Sequence, residues 1–147
     1  MKVALHTNVL AYAEGVNGTA GKEEALRFLQ RLPAGVVFLP VQVLGELFQV
    51  LVRKAGRSKT QARKAILQWR DAFPLIDTTE SVIVAAVELA AAHRFNFWDG
   101  VVFGSAVEAG CRLLLSEDLQ EGFTWNGVTV TNPFAKPPSS LLTNFLK

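Results

Sequence analysis

Four short segments of the sequence place an acid or a histidine directly after an apolar run or within the first two turns of a helical stretch. They are ALHTNVL with His6, VLGELFQVL with Glu46, FWDGVV with Asp99 and LLLSED with Asp118. The carboxyl ends of parallel strands meet at one edge of a sheet, and ligands bind at that edge. If the apolar runs are such strands, we expect these four side chains to lie close together.

Carboxylates that converge on one site need a counter-charge, because like charges raise each other's pKa. A hard divalent cation, Mg²⁺ or Mn²⁺, supplies that charge and prefers oxygen ligands. One or two such ions activate water and stabilise the charge that develops on a phosphodiester. The pattern is therefore typical of a metal-dependent nuclease that needs no nucleophilic side chain.

Each of these residues also has a simpler interpretation. Asp99 is a suitable N-cap for a helix, and Asp118 a suitable cap for the turn DLQEG. Glu117 is expected to face solvent. Glu46 lies in an otherwise apolar helical stretch, and an acid at the border of a core needs a polar partner. The order and context of the four segments, rather than any single residue, favour a functional site.

The distribution of apolar residues predicts alternating strands and helices. Strands are predicted near residues 2–6, over 36–40, briefly in FPLIDTT, in CRLLLS, and in GVTVTNPF, which we expect at the edge. Helices are predicted over about 8–14, in KEEALRFLQRL after the turn-rich break GVNGTAG, over 41–54, after a cap at Ser58, in SVIVAAVELAAAH, and from Asp99 to about Ala109. The alanine-rich helix is expected to be mostly buried. This alternation predicts a single α/β domain over residues 1–147 with a mostly parallel sheet, followed from about 136 by a loop or extension.

Composition agrees with one folded domain. Half of the 147 residues are hydrophobic and 19% are charged, which excludes a disordered chain. The net charge is only +2, but seven of the fifteen basic residues fall within 53–70. The lone cysteine, Cys111, is expected to be a buried thiol in a reducing compartment. No run approaches the roughly 18 apolar residues of a membrane helix, and no signal peptide is visible, so we expect a cytoplasmic protein.

The four segments together resemble the PIN-domain family, and specifically the VapC toxins of bacterial toxin–antitoxin pairs. The family opens with a strand and an acid-Thr-Asn motif, which corresponds here to His6, Thr7 and Asn8. Its second, third and fourth acids correspond to Glu46, Asp99 and Asp118, and the closing NPF also fits. The resemblance covers nearly the whole chain.

The resemblance implies an endoribonuclease that depends on Mg²⁺ or Mn²⁺, in a three-layer α/β/α fold. The acids at 46, 99 and 118 hold the ion, and activated water attacks an RNA phosphate. Thr7, Asn8 and Ser116, with Glu117 beside them, form the surrounding polar shell. The implied partners are a VapB-like antitoxin, which blocks the site, and a second copy of the chain in a homodimer. RNA backbone contacts are expected from Arg53, Lys54, Arg57 and Arg63, unless this basic run is only a solvated helix face.

The chain departs from the family at position 6, where histidine replaces the first acid. Neutral imidazole brings no negative charge and suits Mn²⁺ or Zn²⁺ better than Mg²⁺, so we expect weaker Mg²⁺ binding and low or absent hydrolysis. We favour a substitution selected or engineered for loss of toxicity, which one base change in an Asp codon achieves. Two alternatives stay open: a natural inactive relative that still binds antitoxin, and an active variant with imidazole as a ligand.

Two other functions also remain open. The first is a non-catalytic binding module that sequesters antitoxin or RNA. The second is a PIN nuclease of RNA processing outside toxin–antitoxin systems. A short neighbouring gene for a small DNA-binding protein would favour the toxin over both.

Overall fold

The computed structural model of the protein describes residues 1–146 and contains one six-stranded sheet with helices packed around it. The strands are β1 Val3–Leu5, β2 Val37–Pro40, β3 Leu75–Ile76, β4 Leu113–Leu115, β5 Thr124–Trp125 and β6 Val128–Thr131. The helices are α1 Thr7–Ala13, α2 Gly18–Arg31, α3 Val41–Arg53, α4 Lys59–Ala72, α5 Glu80–His93, α6 Phe97–Glu108 and α7 Ser140–Phe145.

The sheet has the strand order β3-β2-β1-β4-β6-β5, and every pairing is parallel except that of β5 with β6. The central strands β1 and β4 are buried along their whole length, because helices cover both of their faces. The predicted α/β fold with a mostly parallel sheet is thus confirmed. Within residues 1–146, no helix combines the length and apolarity needed to cross a membrane.

The last two strands correct the sequence prediction. GVTVTNPF was expected at the sheet edge, but β6 lies between β4 and β5, and β5 was missed. The turn between them is Asn126–Gly127, with φ of +46° and +84°. Positive φ at both positions is the signature of a tight hairpin, and Asn-Gly is its preferred sequence, so the dipeptide was the available signal.

Two helices begin earlier than predicted. Helix α2 starts at Gly18, inside the expected break, because the bend after α1 needs only the residues around Gly15, whose φ is +87°. Helix α6 starts at Phe97 rather than at Asp99. The side chain of Asn96 accepts hydrogen bonds from the backbone N–H groups of Trp98 and Asp99, and so fills the capping role. The predicted cap at Ser58 is confirmed as a capping box with Gln61.

Burial of α5 was also overestimated. Val82, Ala86 and Leu89 are buried, whereas Val84 and Val87 remain 61% and 53% exposed. Only the face that meets α6 is covered, since an apolar composition does not reveal how many neighbours a helix has.

The tail expected to be a loop or extension contains the short helix α7. Ser139 caps this helix, Leu142 is buried against the core, and Leu141 is 47% exposed.

Candidate active site

Residues that follow β1 and β4 build the centre of the site. The backbone N–H of His6 donates to the carbonyl of Leu115 (3.0 Å), which fixes the end of β1 beside the end of β4. His6 is 4% exposed and Ser116 is fully buried. The two parallel strands therefore deliver both side chains to the same edge of the sheet, as predicted.

Hydrogen bonds determine which nitrogen of His6 carries the proton. The Asn8 side-chain oxygen accepts from the backbone N–H of Glu117 (3.1 Å), so its amide nitrogen faces His6 and donates to Nδ1 (3.0 Å). The Ser116 hydroxyl, which accepts from the backbone N–H of Asp118 (3.1 Å), also lies 2.8 Å from Nδ1. Nε2 lies 3.2 Å from Asp99 Oδ1, and because an ionised carboxylate can only accept, Nε2 carries a proton and Nδ1 of the neutral ring is the acceptor. In this arrangement neither ring nitrogen has a free lone pair.

The three predicted carboxylates belong to separate elements of the fold. Together with His6 they line one cavity of about 490 Å³. Glu46 comes from the second turn of α3, Asp99 from the first turn of α6, and Asp118 from the loop after β4. Asp99 does not cap its helix, so its carboxylate is available to the cavity. The structure therefore brings together all four positions that the sequence singled out.

Thr7 and Asn8 hold the carboxylates in place. The Thr7 hydroxyl donates to Glu46 Oε1 (3.1 Å), and the Asn8 amide donates to Asp118 Oδ2 (3.3 Å). Burial raises the pKa of Glu46. The positive charge of the His6 ring, in its doubly protonated form, and the Thr7 hydrogen bond oppose that shift in the pKa, whereas the charge of Asp99 adds to it.

Glu117 points away from this centre. Its carboxylate accepts a hydrogen bond from the Tyr12 hydroxyl (2.6 Å), which, with burial, raises the pKa of Tyr12 to about 12. Tyr12 lines the cavity and was not among the predicted site residues. It lies four residues after Asn8 on α1, so helical spacing was the signal that places both on one face.

The basic residues predicted to bind RNA have different surroundings. Lys54 lines the cavity, and Arg53 is exposed at the end of α3. The guanidinium of Arg57 donates to the carboxylate and the backbone carbonyl of Glu14, at 2.6 and 2.7 Å. Arg63 lines a separate apolar groove between α3 and α4.

The fit of a divalent cation rests on the donor chemistry of the cavity. Three carboxylates supply the oxygen donors that Mg²⁺ and Mn²⁺ prefer. Within residues 1–146, however, no three His, Cys, Asp or Glu side chains stand in a ready metal-holding arrangement. Asp99 is paired instead with His6. The carboxylates thus suit the ion, and His6 competes with it for Asp99.

Comparison of the sequence with known families gives one match. A model of the PIN domain matches residues 3–121. No curated protein matches the sequence.

Several solved structures have the same fold. VapC20 of Mycobacterium tuberculosis, described as a toxin that cleaves the sarcin–ricin loop, is 24% identical over 80% of this chain and 90% of its own, with a TM-score of 0.67. A toxin–antitoxin complex from Klebsiella pneumoniae matches at 16% identity and a TM-score of 0.67. VapBC2 of Rickettsia felis, bound to promoter DNA, matches at 15% and 0.66. The last two alignments each cover 90% of this chain and 98% of the other.

Proposed function

Because the chain belongs to the PIN-domain family, we propose that it is a VapC-like toxin, a ribonuclease whose metal site is weakened or inactivated by His6. One observation carries the proposal: Glu46, Asp99 and Asp118 line a single cavity at the carboxyl edge of a parallel sheet. The family resemblance read from the sequence is confirmed by the match over residues 3–121.

In such a site, the residues of the chain would have separate roles. Glu46, Asp99 and Asp118 would hold Mg²⁺ or Mn²⁺, and the chemistry that such an ion supplies is activation of water and neutralisation of phosphodiester charge. Thr7 orients Glu46, and Asn8 orients Asp118. Ser116 fixes the loop after β4 by accepting from the backbone N–H groups of Asp118 and Leu119. Glu117 does not line the cavity, and its role is to accept the hydrogen bond from Tyr12.

His6 weakens the site in two ways. It removes one negative charge from the position of the family's first acid, and it donates to Asp99, which is then less available to a cation. In this hydrogen-bond arrangement the lone pair of Nδ1 is occupied and Nε2 carries the proton. A role of the imidazole as a metal ligand would require breaking the bonds from Asn8 and Ser116 or the bond to Asp99.

RNA is the proposed substrate, and the basic end of α3 is one proposed contact surface. Lys54 is the best placed of the predicted residues, because it lines the cavity that holds the carboxylates. Arg53 is exposed beside it, whereas Arg63 is exposed at the separate groove between α3 and α4. Arg57 primarily positions this region, because its guanidinium is engaged by Glu14.

A VapB-like antitoxin and a second copy of the chain are the proposed protein partners, in the cytoplasm. The antitoxin is suggested by structural neighbours that are toxin–antitoxin complexes. The homodimer is suggested by three exposed apolar side chains on the α5–α6 pair: Val84, Val87 and Trp98, the last 52% exposed.

A non-catalytic binding module is the second candidate function. It is favoured by the contacts that engage both ring nitrogens of His6, one with Ser116 and the other with Asp99. A protein of this kind would sequester antitoxin or RNA by binding it, without cleaving RNA.

Cleavage of RNA by the His6→Asp variant separates the two functions. The variant and the unaltered chain, both free of antitoxin, are incubated with Mn²⁺ and total RNA that includes tRNA. We expect cleavage by His6→Asp, little or none by the unaltered chain, and none by a His6→Asp/Asp99→Asn double variant. If His6→Asp cuts no RNA at all, the nuclease proposal fails.

A further inference from the structure

The cavity that holds the carboxylates continues along α2. A second cavity of about 110 Å³ shares Tyr12 and Asn17 with it. A third, of about 410 Å³, shares Glu24 and Phe134 with the second. The shared residues make the three cavities neighbours in one path, which we call the α2 groove.

The far end of the α2 groove is basic. Arg27, Arg31 and Lys136 line the third cavity, with Glu24 as its single acidic residue. Arg27 and Arg31 are four residues apart on α2 and so share a face. Within the part of the chain that the structure describes, none of these three cations is in a salt bridge. Their charge is therefore available to an anionic ligand.

The middle of the α2 groove is lined by the aromatic rings of Tyr12 and Phe134 and by the side chains of Glu24 and Glu117. The ring centroids of Tyr12 and Phe134 are 5.6 Å apart, and those of Phe28 and Phe134 are 6.2 Å apart. Phe134 is only partly buried, so it offers apolar surface between the carboxylates and the cations. Aromatic surface followed by cations is the combination that single-stranded nucleic acid uses, through base stacking and phosphate contacts.

We propose that the α2 groove binds single-stranded RNA next to the scissile phosphate, with Arg27, Arg31 and Lys136 contacting its backbone. This rests on the proposed ribonuclease function and adds a path for the substrate. None of these three residues belongs to the basic run 53–70. Lys54 lines the same cavity as the carboxylates, so cations lie both in that cavity and at the far end of the α2 groove.

RNA binding in the absence of cleavage tests this path. Fluorescence anisotropy of a labelled RNA of about 15 nucleotides is measured with the unaltered chain in EDTA at several salt concentrations. The test variant is R27Q/R31Q. The matched control is K2Q/R112Q, which removes the same charge at the opposite, amino-terminal edge of the sheet, before β1 and β4.

We expect R27Q/R31Q to lower RNA affinity by about tenfold at about 0.1 M salt, and K2Q/R112Q by less than about twofold. The slope of log affinity against log salt should fall by about 1.4 for R27Q/R31Q, since each phosphate contact on a single strand contributes about 0.7. K136Q should lower affinity further when added to the double variant.

Three results would overturn the proposal: equal losses for the two double variants, no RNA binding by the unaltered chain, or Arg27- and Arg31-dependent binding of polyglutamate without RNA binding. The last would assign the α2 groove to an acidic protein partner. The nuclease proposal is judged separately by His6→Asp cleavage, so that its failure and the failure of the RNA path are distinguishable.

Discussion

His6 is the residue on which the proposed function of this site depends most. A carboxylate at that position would face Asp99 with like charge, and a cation would relieve the repulsion. The imidazole relieves it instead with a hydrogen bond to Asp99. The sequence showed the departure from the family, but not this contact, because the position of Asp99 depends on the packing of α6 against the sheet.

Glu46 should make folding stability depend on pH. Burial raises its pKa above the ordinary 4.5, so the folded chain holds this proton more tightly than the unfolded chain. The ionised carboxylate therefore opposes folding above the raised pKa, and the penalty disappears below the unfolded value. We expect Glu46→Gln to increase the free energy of unfolding at pH 7 and not at pH 4, measured by urea unfolding in EDTA.

Glu88→Gln is the control for this prediction, because Glu88 is exposed on α5 and its neutralisation should change little. Glutamine retains the oxygen that accepts from Thr7, so the comparison isolates the charge. A Glu46→Gln variant that is less stable at pH 7 would contradict the account.

At the level of elements, the contact between α5 and α6 positions Asp99. Glycines on α6 allow the two helices to approach closely. A Cβ atom at Gly104 would lie 3.0 Å from the Val82 carbonyl, and one at Gly100 would lie 3.2 Å from the Ala86 backbone. Asp99 is next to this contact, so a displaced α6 would also displace its carboxylate.

Gly104→Ala should therefore destabilise the protein by about 1–3 kcal/mol, because backbone atoms must shift to admit the methyl group. Gly45→Ala is the matched control, since nothing lies within 4 Å of a Cβ there. In that exposed helical position alanine should stabilise by about 0.5–1 kcal/mol. Thermal unfolding of both variants measures the difference, and a Gly104→Ala variant as stable as the parent would contradict the packing described.

A second contact between elements joins the end of α1 to α4 and to the segment between α3 and α4. Glu14, at the end of α1, accepts from Arg57 and from the indole N–H of Trp69 on α4 (2.8 Å). This ties α1 to the α3–α4 pair and fixes the region around Lys54. The sequence offered no signal for it, because the three residues are far apart in the chain.

For the molecule as a whole, the strands and helices were largely predictable from the sequence. Which face of each helix is covered by a neighbour was not. Continuous apolar runs identified β1, β2 and β4, because strands that are buried on both faces consist almost entirely of apolar residues. The three acids were found from their places after strands or on helices. The exposed half of α5 was missed, since composition alone does not reveal which helix face meets a neighbour.

The exposed apolar side chains of α5 predict self-association through this surface. Val84→Glu places a charge where an interface would exclude water, so it should convert a dimer into monomers. Leu141→Glu, on α7, is the control with a similarly exposed apolar residue. Light scattering after size-exclusion chromatography measures the mass. An unchanged mass for Val84→Glu, with a dimeric parent, would place the interface elsewhere.

The central claim is that position 6 decides whether the carboxylates at 46, 99 and 118 hold a divalent cation. Calorimetric titration of Mn²⁺ into the unaltered chain, His6→Asp and His6→Asn tests it most directly. His6→Asn removes the imidazole without adding charge, and so separates the two effects of the histidine.

We expect His6→Asp to bind Mn²⁺ at least about tenfold more tightly than the unaltered chain, which corresponds to about 1.4 kcal/mol, with His6→Asn between them. Asp118→Asn in the His6→Asp background should abolish the gain. Equal Mn²⁺ affinity for the unaltered chain and His6→Asp would contradict the claim.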